Sequence, residues 1–542
     1  MIGRIRDYLR QHGFNPGVVL SYLFLAGLFA WCVAQFYIPG KGFSYLLAFG
    51  GNQEMVRLSK VRKLDYYVQR STYGYDAQYY VQIAMDPSLQ NKQLKNAVDN
   101  LPYRARRILF SATAYVLGLG DPPRILQVYA LQNVGCWFIL AAVLLHWFPP
   151  RSWDHLFRWA GVLYCLGVCA SFYSSLIDGP SLLLIALGLW LVERDRPWLA
   201  SAVLALAGLA KETNLLAAAS LLPSGRVNGP AWSRVVLRGL LVATPLALWM
   251  LYLSIHLGPV LDAGVRNFDL PFVAYVHKWR QVLVELPDAG WPNLGALWSL
   301  TALVSLTAQF LFFVLRPQWS RAWWRVGLSY ALLMVFLGDA VWEGNPGAAM
   351  RVLLPMQLAF NVLVPAGRAW RAVLLAGNLT LLAAPFILQP PASEGYVLGG
   401  RSELISTAAG RSVNLQFTSG WYASEGGRSF FWTWARGNAG QTIQNPHPFP
   451  VRARLRFSLF SAGKRTIHLK LNGVEVWQVK LGDSQFIEAS FSGLRLLSGE
   501  NRLEWLTDEP AIVLAPDPRE LAFVVQNLHL DVVHEWTDTP AR

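Results

Sequence analysis

Residues 198–222 read WLASAVLALAGLAKETNLLAAASLL, and only Lys211 and Glu212 carry charge. Two folds compete for this stretch. A single membrane helix would bury the Lys-Glu pair at mid-span, whereas two short helices would leave it at the turn between them. The choice inverts the orientation of everything that follows. Cytoplasmic loops are enriched in Lys and Arg, so the flanking arginines arbitrate. With two helices, Arg226, Arg234, Arg238, Arg316, Arg321, Arg325, Arg368 and Arg371 face the cytoplasm, and only Arg266, Lys278, Arg280 and Arg351 face outward. One helix reverses that ratio, so the sequence predicts two.

Composition supports the membrane class. The 542 residues carry 47 Lys+Arg against 33 Asp+Glu, a net charge of 47 − 33 = +14, yet only 15% are charged and 54% are hydrophobic. Soluble domains are nearer a quarter charged. The apolar content excludes a disordered chain, and four Cys are too sparse for a disulfide scaffold. With 23 Trp and 28 Phe, the basic surplus points to lipid and orientation rather than to nucleic acid.

Toward the N-terminus, Arg4, Arg6 and Arg10 precede an apolar run from Gly17 to Ile38. It is about the ~20 residues a span needs and too long for a cleaved signal core, so a signal anchor with a cytoplasmic N-terminus is expected. Further runs at Ile125–His146, Trp159–Leu176, Pro180–Val192, Pro197–Leu209, Thr213–Leu222, Val235–Ile255, Leu294–Leu315, Val326–Val341, Val352–Val364 and Ala372–Leu388 bring the expected spans to eleven. Cys32, Cys136, Cys165 and Cys169 all fall inside them as packing residues. The first loop (39–124), the loop 257–293 and everything after Leu388 then lie outside. The first loop is rich in Lys and Arg, but long loops escape the positive-inside rule. Within it, Arg106–Leu119 reads as a helix lying in the outer interface, with Tyr103 and Tyr115 at headgroup level.

After Gln389-Pro390-Pro391 the periodicity changes from helical to strand-like. Val451, Ala453, Leu455, Phe457 and Leu459 alternate with Arg452, Arg454, Arg456 and Ser458, which is a strand period. Ile467, Leu469 and Leu471 alternate into Asn472-Gly473 and then Val474 and Val476, a hairpin signal. Other short strands are read around Val413–Phe417, Ser429–Trp434, Phe486–Phe491, Arg502–Leu506 and Leu521–Val532. The expectation is a two-part chain, with a membrane domain over 1–390 and a β-sandwich or jelly roll over 391–542.

Four groups of residues attract chemical attention. Tyr73-Gly74-Tyr75-Asp76-Ala77-Gln78-Tyr79-Tyr80, continuing to Asp86-Pro87, sets an acid among aromatics; it suits a general base meeting a lipid-borne substrate, or an interfacial aromatic belt. Tyr103-Arg104-Ala105-Arg106-Arg107 could clamp a phosphate through guanidinium forks or attract anionic headgroups. Asp178, Lys211, Glu212, Asp339, Glu343 and Arg351 lie at or inside spans, and all converge on the outer face in this topology. Intramembrane charges cost about 2.5–3.5 kcal/mol each, so they usually serve function; alternatively Lys211 and Glu212 neutralise each other. Trp421, Tyr422, Phe430, Phe431, Trp432 and Trp434 could stack on sugar rings, although most are expected in the β core. Nucleotide-binding, zinc-protease and serine-hydrolase motifs are absent from the sequence, its His residues are isolated, and Asn378-Leu379-Thr380 falls inside a span, where a glycosylation signal is meaningless.

Together these features resemble the GT-C superfamily of membrane glycosyltransferases, which use polyprenyl-phosphate-linked sugars. The resemblance rests on an anchoring span, a large outer loop with an early Asp, an arginine-led interfacial helix, Asp178-Gly179-Pro180 opening a span, and a Lys-Glu at a short helical hairpin. Closest are bacterial proteins with a "YDxQ(Y/F)Y…IAxDP" loop and a "YRxxRIL" segment, here Tyr75–Pro87 and Tyr103–Leu109. The C-terminal segment, with Gly420-Trp421-Tyr422, Asn472-Gly473, Ser498-Gly499-Glu500-Asn501 and Asp517-Pro518-Arg519, is similar to β-sandwich domains fused to such enzymes.

The resemblance implies an inner-membrane enzyme with a periplasmic β domain, transferring one sugar with inversion to a glycan, a lipid-linked glycan or an exported protein such as a pilin. It implies Asp76 as the base on the acceptor hydroxyl, with Asp86 as rival, and Lys211, Arg351, Arg104 and Arg107 as donor-phosphate ligands. Tyr75, Gln78, Tyr79, Asp178, Glu212 and Glu343 would position acceptor or sugar. Asp178 and Glu212 could alternatively hold a divalent cation, though no metal ligand set is assigned. A flippase for lipid-linked glycans and a non-catalytic glycan-binding scaffold are the other readings; internal span repeats, expected of many transporters, are not detected.

Overall fold

The computed structural model describes residues 11, 13–38, 41–64, 66–69, 72–225, 229–258, 264–288, 294–344, 347–389, 396–398, 401–405, 412–422, 425–426, 431–446, 450–514 and 517–535. Arg4, Arg6, Arg10, Arg226, Phe430 and the Pro390-Pro391 junction lie outside the described residues. The chain divides into two compact units. One comprises Met1–Gln35, Leu58–Val61 and Tyr79–Pro390, and the other Phe36–Arg57, Arg62–Gln78 and Pro391–Arg542.

The first unit is helical. Among the described residues, four helices are long and apolar enough to cross a membrane: Pro16–Ala34, Pro122–Leu144, Trp232–Leu257 and Gly295–Leu315. Asn15 caps the first, accepting from the Gly17 amide at 3.0 Å, with Pro16 at the start where its missing N–H costs nothing. Two of the expected spans are bent pairs. Trp153–Leu163 and Leu166–Tyr173 meet at 44°, and Arg368–Ala376 and Leu379–Ile387 at 50°; counting each pair as one span gives six. Pro197–Ala210 and Leu354–Leu363 are shorter apolar helices.

The stretch at 198–222 breaks where its charges lie. Pro197–Ala210 is α-helical, Lys211 is extended at φ −162° and ψ 131°, and Glu212–Leu221 winds as a 3₁₀ helix. The second half folds back on the first: Asn214 Nδ2 donates to the Ala207 carbonyl at 2.8 Å, and a Cβ on Gly208 would lie 2.9 Å from Leu215. Arg325 clips the far end of this segment, donating to the carbonyls of Ala219 and Ser220 at 3.0 and 2.9 Å. The expected interfacial helix is shorter than its sequence window, Leu109–Leu117. Its C-terminal end leaves Val116, Leu117 and Leu119 exposed.

A buried amide cluster ties four of these helical segments together. Gln357 donates to the Gly161 carbonyl at 3.0 Å and to Asn378 Oδ1 at 2.7 Å, while Asn361 and Asn378 bond each other reciprocally at 3.0 Å. Gln309 reaches Gln357 and the Gly377 carbonyl. Neutral amides satisfying one another is how helices bind where no water competes. Asn378 is thereby a buried structural amide.

In the second unit the C-terminal strands form a β-sandwich. One antiparallel sheet orders its strands Val474–Leu481, Arg465–Leu471, Gly499–Leu506, Ala439–Asn445, Ser412–Phe417, Arg401–Ile405. The other runs Phe486–Leu496, Val451–Ser461, Phe523–Glu535, Phe431–Trp434, Glu425–Gly426, with Tyr396–Leu398 also on the Phe523–Glu535 strand. Val451, Ala453, Leu455, Phe457 and Leu459 all point into the shared core with Trp505, Phe523 and Leu471. The Asn472-Gly473 turn forms as read, with φ of 51° and 81°, the left-handed pair a tight type I′ hairpin requires. Asn472 and Asn501 then bond at 2.9 Å, joining two of the sequence motifs of this domain.

The aromatic cluster departs from expectation. Of its described side chains only Trp421 is in the core; Tyr422, Trp432 and Trp434 are half-buried. Tyr422 instead lies beneath Arg436 and Arg519, 4.5 and 5.1 Å from its ring. Arg519 forks onto Asp517, which holds that carboxyl below the usual range through their hydrogen bonds, and reaches Glu425 at 2.5 Å. The sandwich interior is filled by other rings, with Trp505 lying 5.0 Å from Phe457 and 6.1 Å from Trp421.

Candidate functional site

In the first unit, helix ends bring together four of the six charges expected at spans, Asp178, Lys211, Glu212 and Arg351. Asp178 opens the Asp178–Glu193 helix, in the first turn, where the helix dipole favours a carboxylate. Its Oδ1 lies 2.5 Å from Lys211 Nζ and its Oδ2 3.4 Å from Arg351 Nη1. The three side chains are only 6%, 9% and 12% exposed. The turn carrying Asp178 is fixed by polar residues of neighbouring helices. Ser171 Oγ accepts from the Gly179 amide at 2.8 Å and donates to the Leu176 carbonyl at 3.0 Å, and Asn133 donates to that same carbonyl at 2.6 Å.

A second pair adjoins the first through Lys211 and Glu212. Glu212 does not neutralise its neighbour; it accepts from Arg107 Nε at 3.0 Å. Arg107 also donates to Tyr80 Oη at 3.1 Å and Tyr103 Oη at 2.9 Å. Asn267 donates to the same Tyr103 hydroxyl at 3.2 Å, and the Trp249 indole donates to the Ala105 carbonyl at 2.8 Å, so the arginine segment is tied down from both sides. Arg107 acts electrostatically on Asp178 as well, and Arg106 on Glu212, which makes the two pairs one field. Lys211, Arg351 and Arg107 thus set three cations against the two carboxylates Asp178 and Glu212.

The donor count matters. A guanidinium has five N–H and an ammonium three. Among the described residues, Arg107 gives three N–H to Glu212, Tyr80 and Tyr103, and Lys211 gives one to Asp178. The remainder can serve an anion. Two carboxylates held by surplus cations are a poor seat for a divalent metal, and among the described residues no three His, Cys, Asp or Glu side chains converge.

The other sequence candidates sit differently. Arg104 forks onto Asp99 at 3.0 and 2.8 Å and lies over the rings of Tyr79, Tyr80 and Tyr103. Its guanidinium is therefore held by a carboxylate and three aromatic faces. Asp86 caps its own loop, accepting from Ser88 Oγ and from the Asn91 amide at 2.7 Å. Glu343 meets Arg266 at 3.5 Å and Asp339 meets His277 at 3.5 Å, both in exposed pairs apart from the buried group.

Asp76 belongs to the second unit, in the turn that opens the Ala77–Ala84 helix, and is half-buried like Tyr75. That turn is braced by close backbone packing. Gly74, at φ +73°, leaves no room for a Cβ, which would lie 2.4 Å from the Ala48 carbonyl oxygen. The Tyr75 amide donates to the same carbonyl at 3.0 Å. Gln78 is buried: its Oε1 accepts from the Gly50 amide at 3.1 Å, and its Nε2 donates to the Tyr73 carbonyl at 2.6 Å. Its amide shapes the loop.

Sequence reading missed Asp99, Tyr80, Asn133 and Ser171. Asn133, with Gln127 and Gln132 one of three amides in an otherwise apolar run, was the one detectable signal, since polar groups inside spans seek partners. Tyr80 stood in the quoted motif without a role, and Asp99 and Ser171 are visible only in three dimensions.

No family model matches this chain, and no curated protein matches it. Among solved structures it is similar to a family 35 carbohydrate binding module from Clostridium thermocellum, at 12% identity over 25% of this chain and 96% of that one, with a TM-score of 0.15. It is also similar to a CBM35 from Paenibacillus barcinonensis, at 14% identity over 24% of this chain and 96% of that one, TM-score 0.13. A third similarity, to the arabinosyltransferase EmbB from Mycobacterium smegmatis, has 11% identity and a TM-score of 0.29; it covers 94% of this chain and spans 64% of the EmbB chain.

Proposed function

We propose that this protein is an inverting glycosyltransferase of the bacterial inner membrane, with eleven spans, that moves a sugar from a polyprenyl-phosphate donor to an acceptor hydroxyl on the periplasmic face. The observation that carries this reading is the buried cationic group of Lys211, Arg351 and Arg107, with N–H donors left over on Lys211 and Arg107. A lipid phosphate is an anion presented at the edge of the bilayer, and such a group is built for that charge. Asp178 and Glu212 keep the cations extended and compatible with burial; Arg104 and Gln78 position the loops that carry Arg107 and Asp76.

In the transfer step the acceptor oxygen attacks the anomeric carbon as the bond from that carbon to the phosphate oxygen breaks. The acceptor proton passes to the Asp76 carboxylate, and the phosphate leaves with the electron pair of the broken bond. Charge growing on that oxygen is met by preorganised donors, an effect worth about 3–4 kcal/mol per donor in comparable sites. Tyr75 and Tyr79 position the acceptor, and the β-sandwich binds glycan or positions the acceptor.

The test uses the full chain in nanodiscs, a labelled polyprenyl-phosphate sugar and a mixture of envelope glycan acceptors. Transfer is expected, and it should vanish in Asp76→Asn and Lys211→Gln proteins that remain folded. Full transfer by Asp76→Asn sinks the base assignment. Movement of the labelled donor across liposomes without transfer makes the protein a flippase instead.

A further inference from the structure

Arg107 rests on a phenol whose own hydrogen has no assigned use. Arg107 Nη2 donates to Tyr103 Oη at 2.9 Å, and Asn267 Nδ2 donates to the same oxygen at 3.2 Å. A phenolic hydroxyl has one hydrogen to give and accepts on its oxygen. With two N–H groups aimed at that oxygen, the Tyr103 hydrogen is turned away from both. Among the described residues no acceptor receives it.

The hydroxyl is held in this sense by the backbone around it. Tyr103 lies in the short Leu101–Ala105 helix, whose cap Asn100 accepts from the Tyr103 amide at 3.0 Å. Gly264, at φ +98°, brings a second segment against the ring: a Cβ there would lie 3.3 Å from Tyr103 Cε2 and 3.2 Å from Asn267 Nδ2. Asn267 is fixed in turn. Its backbone amide donates to the Gly264 carbonyl at 3.0 Å, and its carbonyl accepts from the Gly338 amide at 2.7 Å. Tyr103 is nevertheless only half-buried, so a ligand can reach it.

The surroundings favour an anion. The guanidinium carbons of Arg107, Arg104 and Arg106 lie 4.7, 5.7 and 5.8 Å from the Tyr103 ring centroid. Cations this near draw negative charge toward the hydroxyl and suit it to donate. A tyrosine that merely braced Arg107 would need its oxygen alone. Here the hydrogen stands beside an arginine that uses three of its five N–H groups on Glu212, Tyr80 and Tyr103.

We infer that the Tyr103 hydroxyl is a further binding group for the donor, its O–H directed onto a phosphate oxygen beside Arg107, with Asn267 as the positioning residue that keeps the hydroxyl turned that way. The inference rests on the reading of Lys211, Arg351 and Arg107 as a lipid-phosphate site.

The experiment measures binding alone. The full chain in phosphatidylcholine nanodiscs is titrated at pH 6 with farnesyl phosphate and with farnesol, which lacks the phosphate. Tyr103→Phe should weaken farnesyl phosphate binding about tenfold or more, the scale of a hydrogen bond to a charged group, and leave farnesol unchanged. That substitution also withdraws an acceptor from Arg107, so a second one separates the two roles. Replacing Tyr103 by 3-fluorotyrosine makes the hydroxyl a stronger donor and a weaker acceptor. Farnesyl phosphate should then bind about twofold tighter, whereas a bracing tyrosine would leave its affinity equal or lower. Near-UV circular dichroism should be native in both proteins. Lys211→Gln serves as the control on the site itself and should also weaken farnesyl phosphate. If it does, an unaffected Tyr103→Phe protein, or equal or weaker binding with 3-fluorotyrosine, overturns the inference and leaves the phosphate site standing. If farnesyl phosphate binds the parent protein no better than farnesol, or Lys211→Gln changes nothing, the phosphate reading fails and the inference falls with it.

Discussion

Two ionic groups in the helical unit use the same residue types and have opposite physical characters. Asp178, Lys211 and Arg351 are enclosed, with Arg107 and Glu212 beside them. Glu343 and Arg266 pair at 65% and 84% exposure, and Asp339 and His277 are similarly open. In the linear sequence both sets are carboxylates near span ends, and nothing separates them. The difference is what surrounds the charge. A buried ion must be compensated wherever it is, so its partners are dictated by the fold; an exposed one is compensated by water, and its partner is optional. Burial with a cationic surplus is therefore the feature that sets the Asp178 group apart.

The largest test of this contrast removes the carboxylate at the centre. Asp178→Ala leaves Lys211 and Arg351 buried without it, and should lower unfolding stability in detergent by about 3–5 kcal/mol. A loss below about 1 kcal/mol would put the group in contact with water and dissolve the distinction. Next, Arg107→Gln keeps a polar side chain beside Glu212 but deletes the cation; transfer should fall by about 10²-fold or more, read in single-turnover rates at saturating donor. Arg104→Gln should cost far less in rate, because its fork serves Asp99.

Smaller still, Asn133→Ala withdraws one donor from the Leu176 carbonyl and should cost about 1–3 kcal/mol, followed by thermal unfolding. Asp339→Asn and Glu343→Gln should each stay within about 0.5 kcal/mol of the parent protein and leave transfer unchanged. A large effect at either position would mean that exposure is a poor guide and that the open group belongs to the site.

The sequence carried the coarse architecture and part of the site. Strand alternation at Val451–Leu459 and the Asn-Gly turn at Asn472 are local signals, set by residues within a few positions of each other, and both were readable. So was the break at Lys211, because a charged pair in an apolar run has few places to go. What escaped depends on distant partners. The bends after Leu163 and Ala376 have no Pro at the joint to announce them. The pairing of Lys211 with Asp178 instead of Glu212 is set by which helix ends meet. Tyr422, Trp432 and Trp434 looked like core by spacing alone, but Tyr422 lies outside the strands, and the Phe431–Trp434 strand that carries the two tryptophans sits next to the edge of its sheet, where rings remain half open. Arg104 and Arg107 were indistinguishable in sequence until Asp99 claimed one and Glu212 the other.

The separation of the Asp178 partners along the chain also sets an order of assembly. Lys211 follows Asp178 by 33 residues and Arg351 by 173. At roughly 5–20 residues per second of synthesis, the first partner emerges about 2–7 s later and the second about 9–35 s later. During the first interval the Asp178 carboxylate has neither of its cationic partners, and during the second it has Lys211 alone. The cationic surplus arrives only with Arg351, once most of the helical unit has been made. A growing chain therefore completes the charge balance of this buried group last.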